Sequence, residues 1–93
     1  MRRNYKKDVE DAIEALDKEC GSAWRDCVDL DKLDMSDYHK CVLGQVYGSY
    51  GSAPKHFFTL DGFCGYFNPL KHMRIMRRYA LEWRNQLAGI TTN

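Results

Sequence analysis

The chain's 93 residues, 10.9 kDa, suffice for one hydrophobic core and no second domain, because so short a chain spends much of itself on surface. Hydrophobic residues at 44% and charged residues at 29% exclude a disordered chain, and no apolar run nears the ~20 residues that cross a bilayer. The net charge of +1 hides a segregation: residues 1–7 carry four basic side chains, residues 8–37 set eleven acids against Lys18, Arg25 and Lys32 for a net −8, and the remainder is +5.

The basic start MRRNYKK runs into acids rather than an apolar signal segment, so the expectation is a cytoplasmic protein, one domain over residues 1–93 with residues 1–7 as a mobile basic segment. In that reducing setting Cys20, Cys27, Cys41 and Cys64 are expected to be free thiols.

Tyr5, Val9, Ala12, Ile13, Leu16 and Cys20 share one face at helical spacing, which predicts a first helix stopped by Gly21. Its other face carries Glu10, Asp11, Glu14 and Lys18, with Glu14 and Lys18 in the favourable order for an i,i+4 pair. The stretch SAWRDCVDLDKLDM follows without a clean period and reads as a structured connector bearing Trp24, Val28, Leu30 and Leu33. A second helix is expected from near Met35, with Asp34 as cap, Asp37 in its first turn, and Leu33 and Tyr38 as a hydrophobic staple.

That helix, MSDYHKCVLGQVYGSYG, sets Cys41, Gly44, Gly48 and Gly51 at intervals of three, four and three, a groove of small side chains for close packing. Interior glycines cost about 1 kcal/mol each against alanine, so the repeat predicts a neighbour at Gly44 and Gly48: the protein's own core, or a partner's helix, a second copy included. The aromatic stretch HFFTLDGFCGYF, centred on Asp61-Gly62, allows a short β-hairpin near residues 57–67 whose phenylalanines lie against the helices. Asn68 and Pro69 then open a last helix from Leu70 to about Ala88, burying Met73, Met76, Ala80, Trp83 and Leu87, with the methionines as gap-fillers. The fold class is thus mainly α, about three helices with a structured connector.

Lys71, Arg74, Arg77, Arg78 and Arg84 fall on the last helix opposite its apolar stripe. They can pair with the acidic half of the chain, with nucleic-acid phosphates or with an acidic protein surface; no DNA-binding motif accompanies them and the −8 segment opposes a duplex. His39, His56 and His72 could join the cysteines around a metal, but no Cys-x-x-Cys knuckle fixes a pair. Asp29, Asp31, Asp34 and Asp37 lack the register of a calcium loop. His39 and Cys41 would point to different helix faces, and GQVYGSYG lacks the lysine and Ser/Thr of a phosphate-binding loop. No cofactor, metal or catalytic residue is therefore assigned, and the reading is a binding protein rather than an enzyme.

The elements Leu16-Asp17, Trp24, Val28 to Met35 and Cys41 to Gly48, the last spelling CVLGQVYG, resemble small accessory proteins of phages that infect actinobacteria, mycobacteriophages among them. Gly62-Phe63 and the spacing of Tyr79 to Trp83 extend the similarity over residues 16–89, whereas MRRNYKK and the aromatics at Phe57 and Phe58 depart from it. The resemblance implies a protein made in the host bacterial cytoplasm that acts by binding a host protein. The alternative class is a nucleic-acid binder using the basic helix face.

Overall fold

A computed structural model describes residues 3–63 and 69–89, with side chains from 73 to 88 in the second stretch. Helix α1 spans Tyr5–Cys20, α2 Val42–Tyr47 and α3 Pro69–Gly89, and the chain between α1 and α3 is otherwise built of short 3₁₀ turns. The radius of gyration, 12.1 Å, is what one packed domain of this length gives, ~12 Å.

Helix α1 forms where its apolar spacing places it. Asn4 caps it through its side chain on the Lys7 N–H at 3.0 Å, and the Gly21 N–H closes it on the Asp17 carbonyl at 2.9 Å. Val9, Ala12 and Leu16 are wholly buried and Ile13 half-buried, but Cys20 is exposed, its Sγ 3.1 Å from the Tyr47 hydroxyl, so it does not belong to the buried stripe. Of the basic segment, residues 5–7 are already helical and Arg3 reaches the Tyr79 hydroxyl at 3.5 Å, while residues 1 and 2 lie outside the described residues.

The connector is ordered, as expected, with a 3₁₀ turn over Ser22–Cys27 that buries Trp24. The second helix, however, is six residues long rather than about seventeen. Between Leu33 and Cys41 short acceptor side chains take the backbone N–H groups a helix would use: Asp34 Oδ1 accepts from Ser36 N at 2.9 Å, and Asp37 Oδ1 from His39 N and Lys40 N at 2.7 and 3.0 Å. Such local bonds offer the chain a turn in place of a helix, and three near-consecutive ones carry it. Tyr38 is 70% exposed, so the staple with Leu33 does not form.

The glycine groove also gives way to three different situations. Cys41 sits before α2 as its cap, buried, with Sγ accepting the Gly44 N–H at 3.2 Å. Gly44 lies against the preceding turn, where a Cβ would meet the Tyr38 carbonyl oxygen and come within 2.7 Å of the His39 carbonyl carbon. Gly48 is the residue after α2 at φ +94°, and neither it nor Gly51 has a neighbour near its Cβ position. The close contact predicted at Gly44 is present, the one at Gly48 is not, and Gly48 is required for its backbone angle instead.

Residues 55–63 form 3₁₀ turns, Lys55–Thr59 and Asp61–Phe63, in place of the first arm of a hairpin; residues 64–67 of that expectation lie outside the described residues, as do Cys64 and the Asn68 cap. Phe57 and Phe63 do lie against helices, Phe57 on Tyr47 of α2 and Phe63 on Trp83 of α3, while Phe58 stacks on Tyr50 and Phe67 lies outside the described residues. Tyr47, Phe57, Phe63, Trp83 and Trp24 make a continuous aromatic file with ring centroids 6.1, 5.2, 5.7 and 6.2 Å apart, the separations at which offset and edge-on rings attract. Trp83 donates its Nε1–H to the Gly62 carbonyl at 2.8 Å, joining α3 to the last turn. No helix among the described residues is long and apolar enough to cross a membrane.

Candidate binding surface on the last helix

The periodicity of α3 divides its side chains. Met76, Ala80 and Trp83 are buried and Leu87 is half-buried, while Met73, expected in the same stripe, is 37% exposed. Tyr79, not assigned to the stripe from sequence, is wholly buried: it stands three residues after Met76 and four before Trp83, which is the spacing that could have found it. Its hydroxyl donates to Asp8 Oδ2 at 2.6 Å, tying α3 to the first turn of α1. Burial, and then the bond to Asp8, push the Tyr79 phenol well above its ordinary range.

On the opposite side Arg74, Arg77, Arg78, Leu81 and Asn85 recur at three, one, three and four residues and are all exposed. Leu81, at 50% exposure, sits in the middle of this basic face. The Arg78 guanidinium lies over the Tyr5 ring at 5.0 Å, which positions it without neutralising it. Among the described residues the ion pairs are Lys7–Asp11, Lys18–Glu14, Arg25–Asp17 and His56–Glu19, so none joins α3 to the acidic half of the chain. Several of the acids are instead used locally, Asp11 and Glu14 on lysines one turn away, Asp17 on Arg25, and Asp29, Asp34 and Asp37 on nearby backbone N–H groups, while Asp8 takes the Tyr79 hydroxyl and Glu19 lies beside His56. The attraction between the two halves expected from the charge pattern is therefore not expressed as contacts of these arginines.

Arg84 does not belong to that exposed set. Its Nε and Nη2 donate to the carbonyls of Leu30 and Leu33 at 3.1 and 2.8 Å, so it clamps the connector to α3. Lys71 lies in α3, with its side chain outside the described residues.

Beside the basic face, an open cleft of about 310 Å³ separates α3 from the connector. Leu33, Asp34, Met35 and Ser36 form one wall, and Met73, Met76, Arg77, Ala80 and Arg84 the other. The sequence pattern carries no signal for the cleft, because the helix it predicts from near Met35 is replaced by turns.

The remaining candidates are dispersed. His39 Nδ1 lies 3.0 Å from the Gly48 carbonyl while the Cys41 thiol is buried, and that burial pushes the thiol up. His56 lies 3.3 Å from Glu19 on α1. Among the described residues no three His, Cys, Asp or Glu side chains converge as metal ligands; Cys64 and the His72 side chain lie outside them. No protein-family profile matches the chain, and no curated protein or solved structure matches it significantly.

Proposed function

We propose that the protein is a non-enzymatic accessory factor of phage type, working in the host bacterial cytoplasm, whose exposed α3 face docks an acidic surface of a host protein. The observation that carries this reading is the face itself: Arg74, Arg77 and Arg78 project from one side of α3 around the half-exposed Leu81, with no carboxylate against them among the described residues. Arginine with a central apolar side chain is the composition that protein interfaces enrich, because the guanidinium stays charged and flat while the apolar group supplies desolvation. The phage assignment rests on the CVLGQVYG resemblance.

The same arginines support nucleic-acid binding as the second reading. Leu81 weighs against it, since a phosphate strand gains nothing from an exposed leucine, and the −8 of residues 8–37 opposes a long polyanion more than a short acidic patch on a protein.

A pull-down from an actinobacterial lysate, run beside filter binding with random duplex and single strands over a salt series, separates the two. Wild type should retain one host protein, the Arg74→Glu/Arg77→Glu/Arg78→Glu variant should lose it, and duplex affinity should stay weaker than about 1 μM at physiological salt. Sub-micromolar, salt-steep nucleic-acid binding abolished in the variant, with no protein retained, would make the second reading correct.

A further inference from the structure

We infer that Arg78 is the carboxylate-receiving arginine of the α3 face, its guanidinium pre-oriented by the Tyr5 ring so that an aspartate or glutamate of the partner closes a bidentate pair with it. The first turn of α1 thereby belongs to the binding surface, with Tyr5 as the positioning residue. This deepens the reading of the α3 face and rests on it.

The contacts that set Arg78 begin in the core. Tyr79 has no exposed surface and is fixed by donating its hydroxyl to Asp8 Oδ2 at 2.6 Å. Its ring holds the half-buried Tyr5 edge-on, with centroids 4.7 Å apart and planes at 64°, and the Tyr5 ring in turn carries the Arg78 guanidinium at 5.0 Å. An aromatic face attracts a guanidinium and restricts its rotamers while leaving it charged. Arg78 is exposed, and its N–H groups form no hydrogen bond or ion pair among the described residues. Glu82, one turn further along α3, accepts from Gln86 at 2.9 Å instead. Arg74 and Arg77 are exposed too, but no ring carries either of them among the described residues, so each gives up more freedom on meeting a partner. The planar fork of arginine matches a carboxylate at two N–H groups, which an ammonium cannot do. Leu81 stands three residues after Arg78 on the same face, so a carboxylate received there has an apolar contact beside it. A phosphate strand, with charges at regular intervals, would instead draw on Arg74, Arg77 and Arg78 alike.

The probes are acetyl-hexaglutamate-amide and single-stranded hexathymidylate, titrated at low salt into the whole chain while the arginine Nε–H resonances are followed by NMR. In the free chain the Arg78 Nε–H should exchange with solvent about two- to fivefold more slowly than those of Arg74 and Arg77, the factor that an exposed cation–π contact gives. Tyr5→Leu should erase that difference, and Tyr5→Phe, which keeps the ring, should retain it. Hexaglutamate should shift Arg78 most, and Arg78→Lys should weaken its binding about two- to fivefold more than Arg74→Lys or Arg77→Lys does. Tyr5→Leu should reproduce that loss and Tyr5→Phe should not. If Tyr5→Leu fails to fold, the three lysine variants, all at exposed positions, decide alone. Equal losses from the three would leave the basic face standing and overturn the assignment of Arg78. So would the absence of any arginine shift with hexaglutamate, and the pull-down would then judge the face itself. A folded Tyr5→Leu chain that binds like wild type would overturn the role of Tyr5. Hexathymidylate that binds more tightly than hexaglutamate, through all three arginines, would overturn this assignment and the protein-docking reading together.

Discussion

The two long helices and the forty-odd residues between them are held by different means. Helices α1 and α3 bury periodic apolar stripes in one core, Val9, Ala12 and Leu16 on the first and Met76, Tyr79 and Trp83 on the last, and satisfy most of their own backbones. The segment from Gly21 to Phe63 has only one six-residue α-helix, so most of its peptide groups need other partners. Side chains supply many of them: Gln45 accepts from Asp29 N at 2.6 Å and donates to the Lys40 carbonyl at 2.8 Å, Arg84 takes the Leu30 and Leu33 carbonyls, and Asp34 and Asp37 cap turns. Many polar side chains of this segment are thus architectural, whereas Arg74 and Arg77 on the exposed face of α3 carry no such bond among the described residues.

The largest test of that contrast uses two neighbours on α3. Trp83, with no exposed surface, belongs to the apolar scheme, and Trp83→Ala should cost about 3–5 kcal/mol in urea unfolding, close to the whole stability of a domain this size. Arg84 belongs to the polar scheme. Arg84→Met keeps most of the stem but leaves two carbonyls without their charged donor, so about 2 kcal/mol should be lost. Hydrogen exchange would then show the loosening of Arg84→Met confined to the Leu30–Leu33 turn, whereas Trp83→Ala would raise exchange throughout. Equal, global effects from both would dissolve the distinction.

The helices were legible in the sequence for the reason they are stable: six and five apolar residues at helical spacing leave few alternatives, and Gly21 and Pro69 mark boundaries. The middle was not, because its order depends on side-chain bonds between residues such as Asp29 and Gln45, sixteen apart, that no local period encodes. The same holds for the candidate site. Arg74, Arg77 and Arg78 could be placed on an outer face from spacing alone, but the commitment of Arg84 to distant carbonyls, and the cleft that the Leu33–Ser36 turn makes with α3, required the fold.

A smaller effect sharpens the comparison inside the middle segment. Gly44 and Gly48 look equivalent in a small-residue repeat, yet one is enclosed and the other is bent. Gly44→Ala puts a methyl into the Tyr38–His39 backbone, which cannot yield as a flexible side chain would, and should cost about 2 kcal/mol. Gly48→Ala meets open space and pays only for its positive φ, about 1 kcal/mol. Reversal of that order in thermal unfolding would restore the packed groove at Gly48.

The smallest effect concerns the junction where α1 hands over to the connector. Asp17 Oδ1 accepts from Trp24 Nε1 at 2.8 Å and from Arg25 Nη1 at 2.6 Å, with Arg25 Nη2 on Oδ2 at 3.2 Å. The Arg25 guanidinium above all, aided by the Trp24 N–H against a smaller burial penalty, holds the Asp17 carboxyl below the usual range. A carboxyl depressed in the folded state stabilises fully above its unfolded value near pH 3.9, and that contribution disappears as pH falls through the folded value. Both partners are partly solvated, so screening limits the gain, and Asp17→Asn should cost about 1 kcal/mol at pH 7. The gap between wild type and variant should narrow as urea titrations are taken below roughly pH 4, because the wild-type carboxyl is then itself protonated and can no longer attract Arg25 as an anion. A gap that is constant from pH 7 to pH 2 would mean that Asp17 acts by shape and neutral hydrogen bonding, and the junction would then belong with the apolar helices rather than with the polar connector.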